Sequence, residues 1–514
     1  MQGIKERTQK LFYQFSLEEY VPQDHTYRRI EQTLNLRFLY KRTKAYYGSQ
    51  GQKSIDPVVF FKICLLGYLN NITSDRALIR YCSDSLAARW YIGYDIDQHL
   101  PVHSTLSRTR QLFGSHVYEQ VFLEILGLCV DAGLVQGYRQ VVDSALIKAN
   151  AQIDSMQRRQ LLEDASSYCQ QVDKDNSEEA ASGQDGSDSK EAPLQAVDTP
   201  ADEHGKPKRD YSSNETHRCS SDPDARMARK PNKPKGMYYH SQVCVDSQYG
   251  VVTAAFGDYG NRKDQHSYLR LLLDARRNLA GFSLPIREVL ADAGYNTAKN
   301  IALSERLGIT AYMPNPSGYS PKREGFHYDQ EQDRYVCSQG EYLTFRSFST
   351  SRGSTKKVYR TRVSQCKNCP LAAECITNKY GYKEISHAVG KPWYDLMHAR
   401  LSTRYGEQLV RKRKGIVEPA LGNLIHHYGM RKVYARGVEA ADKHVVMACM
   451  VMNLKKLLKV TFRSVKGPIT GHFLSNLGAV IAHFNPRQSL NIASWLFLSS
   501  NRTTCYFSVV KRVY

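Results

Sequence analysis

The run Val289-Leu290-Ala291-Asp292-Ala293-Gly294-Tyr295 sets the tightest limit on what this chain can fold into. Three apolar residues stop at a carboxylate, and a small residue and a glycine then let the backbone turn at once. Such a run reads as a buried strand that delivers an aspartate to the end of a sheet, where oxygen donors suit a divalent cation. Far upstream, Val141-Val142-Asp143-Ser144-Ala145 has the same character. Two strands of one sheet would bring these distant carboxylates together.

Charge narrows the partner. The 514 residues carry a net charge of +21, which favours a polyanion over a neutral or acidic ligand. The charge is uneven: residues 151–205 hold 13 acids and 4 bases, a net of −9, which leaves +30 on the remainder. Strand-borne aspartates in a basic body point to metal-dependent chemistry on nucleic acid. The opening residues show no secretory pattern and no run reaches the roughly 18 apolar residues of a membrane span. Twelve cysteines are too sparse for a disulfide scaffold in a chain this long, so a reducing cytoplasm is the expected setting.

Residues 1–135 read as helical. Asp56-Pro57 marks a helix start, Ser74 caps the next helix, and His103-Ser104-Thr105-Leu106-Ser107-Arg108-Thr109-Arg110 opens another, with Ser104 as cap and its arginines exposed. Short helices with a basic last member fit a helix-turn-helix-like DNA-binding module, and fit equally a helical bundle with a solvated basic face. A strand over Gln140–Leu146 follows. Residues 161–235 read as an acidic insertion and basic linker, with disorder expected over 173–205. A hairpin (Tyr239–Val245 and Val251–Ala255), a helix over Asp264–Leu279, the Asp292 strand, a helix from Thr297 and a strand at Ile309–Met313 then describe a mixed α/β sheet flanked by helices. The catalytic core is assembled from 136–160, 236–314 and 393–459. Residues 315–392 form a cysteine-containing insertion, and 460–514 is a tail with no assigned role.

A third acid completes a metal site if a helix leans it over the strand ends. Glu418, in Arg411-Lys412-Arg413-Lys414-Gly415-Ile416-Val417-Glu418-Pro419, is the choice. Val417, Leu421, Leu424 and Ile425 would pack that helix on the sheet, with Gly422 permitting close approach. Glu407, Glu384 and Asp258 are weaker alternatives.

At this point the chain resembles a known family, the DDE transposases of bacterial insertion sequences. The likeness spans roughly 36–459. It rests on Val142-Asp143-Ser144-Ala145 with Lys148-Ala149-Asn150-Ala151, on Ser221-Asp222-Pro223-Asp224-Ala225-Arg226, and on Ala291-Asp292-Ala293-Gly294-Tyr295-Asn296. Ile416-Val417-Glu418-Pro419-Ala420-Leu421-Gly422, Arg436-Gly437 and Asn453-Leu454-Lys455-Lys456 extend it. The resemblance implies an RNase H-like core, an N-terminal helical DNA-binding domain, and Mg²⁺ (or Mn²⁺) on Asp143, Asp292 and Glu418 as the catalytic acids. It implies cleavage and strand transfer at inverted-repeat ends, by a homodimer on DNA. Ile425, followed by His426 and His427, stands where the family often has a lysine.

Cys366-Lys367-Asn368-Cys369, with Cys375 and the upstream Cys337, fits a structural Zn²⁺ site or a set of free thiols. Cys64, Cys82, Cys129, Cys244 and Cys449 sit in apolar contexts and read as core. Arg108, Arg110, Arg226, Lys230, Arg411, Arg413, Lys414, Arg431 and Arg436 are the candidate DNA contacts, expected to grip the backbone and not to read bases. The expected function is therefore a transposase in the bacterial cytoplasm, associated with the nucleoid. A nuclease without strand transfer and an inactive DNA-binding relic are the alternatives.

Overall fold

A computed structural model describes residues 16–48, 50, 54–158, 213–230, 233–316, 319–351 and 354–461. The stretch read as disordered, 173–205, and the tail beyond Thr461 lie outside the described residues. The described residues up to Leu457 form one compact unit.

Eight helices open the described chain: α1 (Leu17–Tyr20), α2 (Thr26–Thr33), α3 (Phe38–Thr43), α4 (Pro57–Leu69), α5 (Asp75–Asp84), α6 (Leu86–Ile92), α7 (His103–Leu112) and α8 (Ser115–Asp131). Local chemistry explains their starts. The Asp56 carboxylate accepts from the amides of Val58 and Val59, and Pro57 needs no amide partner in the first turn. Ser74 and Ser85 cap α5 and α6 in the same way. At α7 the expectation fails: the residue before the helix is Val102, it makes no side-chain cap, and Ser104 lies inside the first turn. Phe60, Phe61, Ile63, Leu65 and Leu66 of α4 are fully buried, as an all-round apolar helix must be.

The central sheet follows. Its strands are β1 (Arg139–Lys148), β4 (Arg226–Ala228), β5 (Gly236–Asp246), β6 (Val252–Tyr259), β7 (Glu288–Leu290) and β8 (Thr310–Tyr312). Strand order is β4-β5-β1-β7-β8, with β6 also paired to β5. β5 runs antiparallel to β1, β4 and β6, while β7 and β8 run parallel to β1 and β7. Parallel strands need both faces covered, and Val141, Val142, Val289, Leu290 and Ala291 are buried accordingly. The covering helices are α9 (Asp264–Ala280), α10 (Ala298–Arg306), α13 (Lys391–Leu401), α14 (Arg404–His427) and α15 (Val438–Thr461). This is the mixed α/β core with an N-terminal helical region expected from the sequence. β4 lies within the stretch read as a linker and joins the sheet edge. A small ribbon, β2 (Met156–Arg158) with β3 (His217–Cys219), brackets the undescribed 159–212.

Residues 326–388 form a separate antiparallel sheet of β9 (Phe326–Asp329), β10 (Arg334–Cys337), β11 (Tyr342–Ser351), β12 (Ser354–Arg360) and β13 (Glu384–Ala388). Tyr335, Leu343, Tyr359 and Ile385 are its core. Two short helices, α11 (Val363–Cys366) and α12 (Ala372–Cys375), carry the cysteines between β12 and β13.

Several matched motifs do structural work. Asp222, fully buried, accepts from the Tyr239 hydroxyl (2.7 Å) and the Gly437 amide (3.1 Å), and Asp224 accepts from Val438 at the start of α15 (3.1 Å). Gly437 holds a positive φ of 94° there, a conformation open to glycine. Asn453 of α15 exchanges two 2.8 Å hydrogen bonds with the backbone of Val252. His444 of α15 joins the helical module to the core: its Nδ1 accepts from the Tyr68 hydroxyl of α4 at 2.7 Å, and its Nε2 donates to the Gly429 carbonyl at 3.1 Å.

Burial pushes the pKa of His444 down to about 4 from an ordinary 6.5. Below pH 6.5 the unfolded chain takes up a proton that the folded chain refuses, so stability falls as pH drops toward 4. The expected loss from this group is about 2 kcal/mol at pH 5. Urea unfolding at pH 7 and pH 5 checks it: His444→Gln should lose less stability than the wild-type chain over that interval.

Candidate active site

The register of β1 against β7 decides the site. Arg139, Gln140 and Val141 pair with Glu288, Val289 and Leu290. Two residues further on lie Asp143, still within β1, and Asp292, just past the end of β7. The two acids are close enough for the charge of Asp292 to act on Asp143. The first rung is pinned by an ion pair: Arg139 Nε lies 2.6 Å from Glu288 Oε2.

Alternate residues of β1 face one side, so Arg139, Val141 and Asp143 present to α14. That helix is tied to both charged positions. Tyr405 donates to Glu288 Oε1 (2.8 Å) and accepts from Arg139 (2.6 Å). Two turns later Arg413 Nη1 lies 3.0 Å from Asp143 Oδ2, with both side chains mostly buried. Burial pushes the Asp143 carboxyl up; the Ser144 amide, which donates to Oδ1 at 2.8 Å, and Arg413 pull it down, while the charge of Asp292 adds to the rise. The Asp292 carboxylate accepts from the Gly294 amide at 3.0 Å and caps the short turn Ala293–Tyr295.

Glu418 lies beyond Arg413 on α14 and is exposed, while Val417, Ala420, Leu421 and Leu424 form the buried face. Among the described residues no group of three or more His, Cys, Asp or Glu side chains is arranged to hold a metal ion. The structure thus brings Asp143 and Asp292 together and leaves Glu418 on the solvent side of the facing helix. Gly422 has open space around it; the close approach is at Gly406, where a Cβ would sit 2.3 Å from the Arg400 carbonyl oxygen. The crowding at Gly406 is between the start of α14 and the end of α13, and no close approach is made at Gly422.

The four cysteines Cys337, Cys366, Cys369 and Cys375 line one cavity of about 240 Å³ with Glu341 and Lys383. All are free thiols, and Cys64, Cys82, Cys129, Cys244 and Cys449 are buried in the core as expected.

The cationic residues divide. Arg108, Lys414, Arg431 and Arg436 are exposed. Arg110, expected to be exposed, is instead half-buried and bonds Asp75 through both terminal nitrogens (2.9 and 2.8 Å). Arg411 pairs with Glu407 (3.2 Å), and Arg226 stacks on Tyr259. Lys230 is held by Ser144, His240 and Asp264. Arg411 and Glu407 are one helical turn apart, but the other partners are remote in the chain, which is why sequence reasoning missed them.

With this geometry in hand, comparison with known proteins decides the family. Residues 15–112 match the "Transposase domain (DUF772)" and residues 336–458 the "Transposase DDE domain". The chain is a transposase with a DDE domain, which implies metal-dependent DNA cleavage and transfer. The DDE match contains Glu418 and the four cysteines, whereas Asp143 and Asp292 lie in the stretch between the two matches. No curated protein matches the chain in sequence. Similar solved structures include a piggyBac transposase synaptic complex with hairpin DNA, at 10% identity over 86% of this chain and 80% of that one, with a TM-score of 0.31. Another is a Mos1 transposase paired-end complex with left transposon end, at 12% identity over 59% and 72%, with a TM-score of 0.16. At these scores the family assignment rests on the domain matches. Among the described residues no helix is long and apolar enough to cross a membrane.

Proposed function

We propose that this transposase cuts the ends of its insertion sequence and joins them to target DNA, using Asp143, Asp292 and Glu418 as its catalytic acids. The observation that carries the reading is the pair of aspartates brought together by adjacent parallel strands, Asp143 within β1 and Asp292 just past the end of β7, in a chain with a DDE domain. Their donor set is all oxygen, which fits a hard ion such as Mg²⁺ or Mn²⁺. A divalent ion there supplies activation of the attacking oxygen and stabilisation of the leaving one. Glu418, on the facing helix α14, is the third acid of this reading.

The protein's own groups do the rest. Arg413 offsets part of the effect of burial, which raises the Asp143 carboxyl. Exposed Arg108, Lys414, Arg431 and Arg436 offer phosphate contacts for terminal repeats and target duplex. Water cleaves the phosphodiester at the element end and leaves a 3′-hydroxyl, which attacks a target phosphodiester without a covalent protein–DNA intermediate. Two ends must be held for joining, which supports a homodimer on DNA. Action on chromosomal DNA places the protein in the cytoplasm with the nucleoid. The helical module (1–135) serves DNA binding, and the cysteines facing one cavity bind a structural Zn²⁺.

Asp143→Asn and Asp292→Asn should each lower Mg²⁺-dependent cleavage of terminal inverted-repeat DNA by roughly 100-fold or more; gel assays with undiminished cleavage by both would overturn the assignment, and strand-transfer products separate a transposase from a simple nuclease. Removing one exposed arginine, as in Arg431→Ala or Arg436→Ala, should reduce the slope of log affinity against log salt by about 1, measured by fluorescence anisotropy. Elemental analysis of the purified chain should find about one zinc, lost in Cys366→Ser/Cys369→Ser.

A further inference from the structure

Asp264 has no part in the assignment above, yet it stands beside both aspartates. It opens α9, and its side chain is 15% exposed. The Ser144 hydroxyl donates to Asp264 Oδ1 at 2.7 Å, and the amide of the same serine donates to Asp143 Oδ1 at 2.8 Å. Serine 144 is thus the link between the two carboxylates: its backbone holds one and its side chain is held by the other.

The rest of the network is closed and specific. The Lys230 ammonium has three protons and three acceptors: Ser144 Oγ (3.1 Å), His240 Nε2 (3.1 Å) and Asp264 Oδ2 (3.5 Å). His240 is 2% exposed, and burial followed by the Lys230 charge lowers its pKa, so it is neutral near pH 7. Its Nδ1 donates to the Arg262 carbonyl (3.1 Å), which leaves Nε2 as the acceptor that Lys230 requires. Gln242 adds a longer contact to Asp264 (3.4 Å) and accepts from the fully buried Tyr295 hydroxyl (2.8 Å). On the other side, a Cβ at Gly294 would lie 3.1 Å from Asp292 Oδ1 and 3.4 Å from Asp264 Oδ2. The two carboxylates therefore face each other across a residue with no side chain.

We propose that Asp264 is a positioning residue for the metal-binding aspartates, acting on Asp143 through Ser144. The inference rests on the reading of Asp143 and Asp292 as metal ligands. Partners that orient a ligand from behind typically contribute 10- to 100-fold in metal affinity. Lys230 balances the added negative charge, which otherwise would compete for the cation. Four separate segments supply the network, and it lies on the α9 side of the sheet, opposite Arg413.

Mn²⁺ binding to the full chain, followed by electron paramagnetic resonance without DNA, tests this. Ser144→Ala and Asp264→Ala should each weaken Mn²⁺ by about 10-fold. The double variant should be no weaker than either single one, because both act through one link. Asp264→Asn keeps an oxygen acceptor for the serine hydroxyl and should retain most of the affinity. Unchanged Mn²⁺ binding in Ser144→Ala, or independent losses that multiply to about 100-fold in the double variant, would overturn the proposal. Thermal melts establish that each variant is folded; should Asp264→Ala fail to fold, Ser144→Ala decides alone. Asp143→Asn is the control for the underlying assignment. If it binds Mn²⁺ and cleaves like the wild-type chain, the choice of acids is wrong; if it loses both while Ser144→Ala changes nothing, only the role of Asp264 falls.

Discussion

The parallel pairing of β1 with β7 is the constraint on which the rest of this structure depends. A slip of one residue would turn every side chain of β7 to the opposite face relative to β1 and would part Asp292 from Asp143. Three things oppose that slip. Val141, Val142, Val289 and Leu290 are buried on a sheet covered on both sides. Arg139 and Glu288, partners in the ladder, are also an ion pair. Gln140, with no exposed surface, is held by the Gly137 carbonyl and by the Thr253 hydroxyl of β6. Apolar burial favours the strand, and the polar contacts select its register.

The two faces of β1 then acquire different tasks. Toward α14, Tyr405 reads the Arg139–Glu288 pair and Arg413 reads Asp143, so one helix is aligned with the sheet at two charged points on one side. Toward α9, Ser144 meets Asp264, His240 and Lys230. Asp143 is thus set between a cation on one face and a hydrogen-bonded network on the other. α15 closes the assembly. Its apolar middle, from Val445 to Met452, is buried, Asn453 locks the edge strand β6, and His444 fastens the helical module through Tyr68. The contact at Gly257, where a Cβ would be 2.6 Å from the Asp442 amide nitrogen, shows how closely the helix lies on the sheet.

Much of this was legible in the residues. The strands around Asp143 and Asp292, the β5–β6 hairpin, α9, and the starts of α4 and α5 follow from local periodicity and capping, which act within a few residues. The five core cysteines followed from their apolar neighbours. Other features were not legible, for reasons of range. β4 is three residues long and has no periodic signal; it is a strand because β5 offers it an edge. Ser104 would cap α7 only if the helix began two residues later than it does. Arg110 looked like a free cation until Asp75 of α5 was found against it. Gly422 suggested a close helix contact, yet the crowded glycine is Gly406. Asp264 read as an ordinary helix start, and only its neighbours from β1 and β5, together with Lys230, give it significance.

The amino-acid sequence by itself determined which residues form strands and helices, where acids interrupt apolar runs, and the basic charge that calls for a polyanion, because each is a property of a short window or of composition. Tertiary structure alone decided that Asp143 and Asp292 come together, that Arg413 and not Glu418 contacts Asp143, and that Asp264 stands behind both. Those relations join separate segments of the chain, and their geometry is set by strand register and helix packing summed over many contacts, which no local pattern encodes.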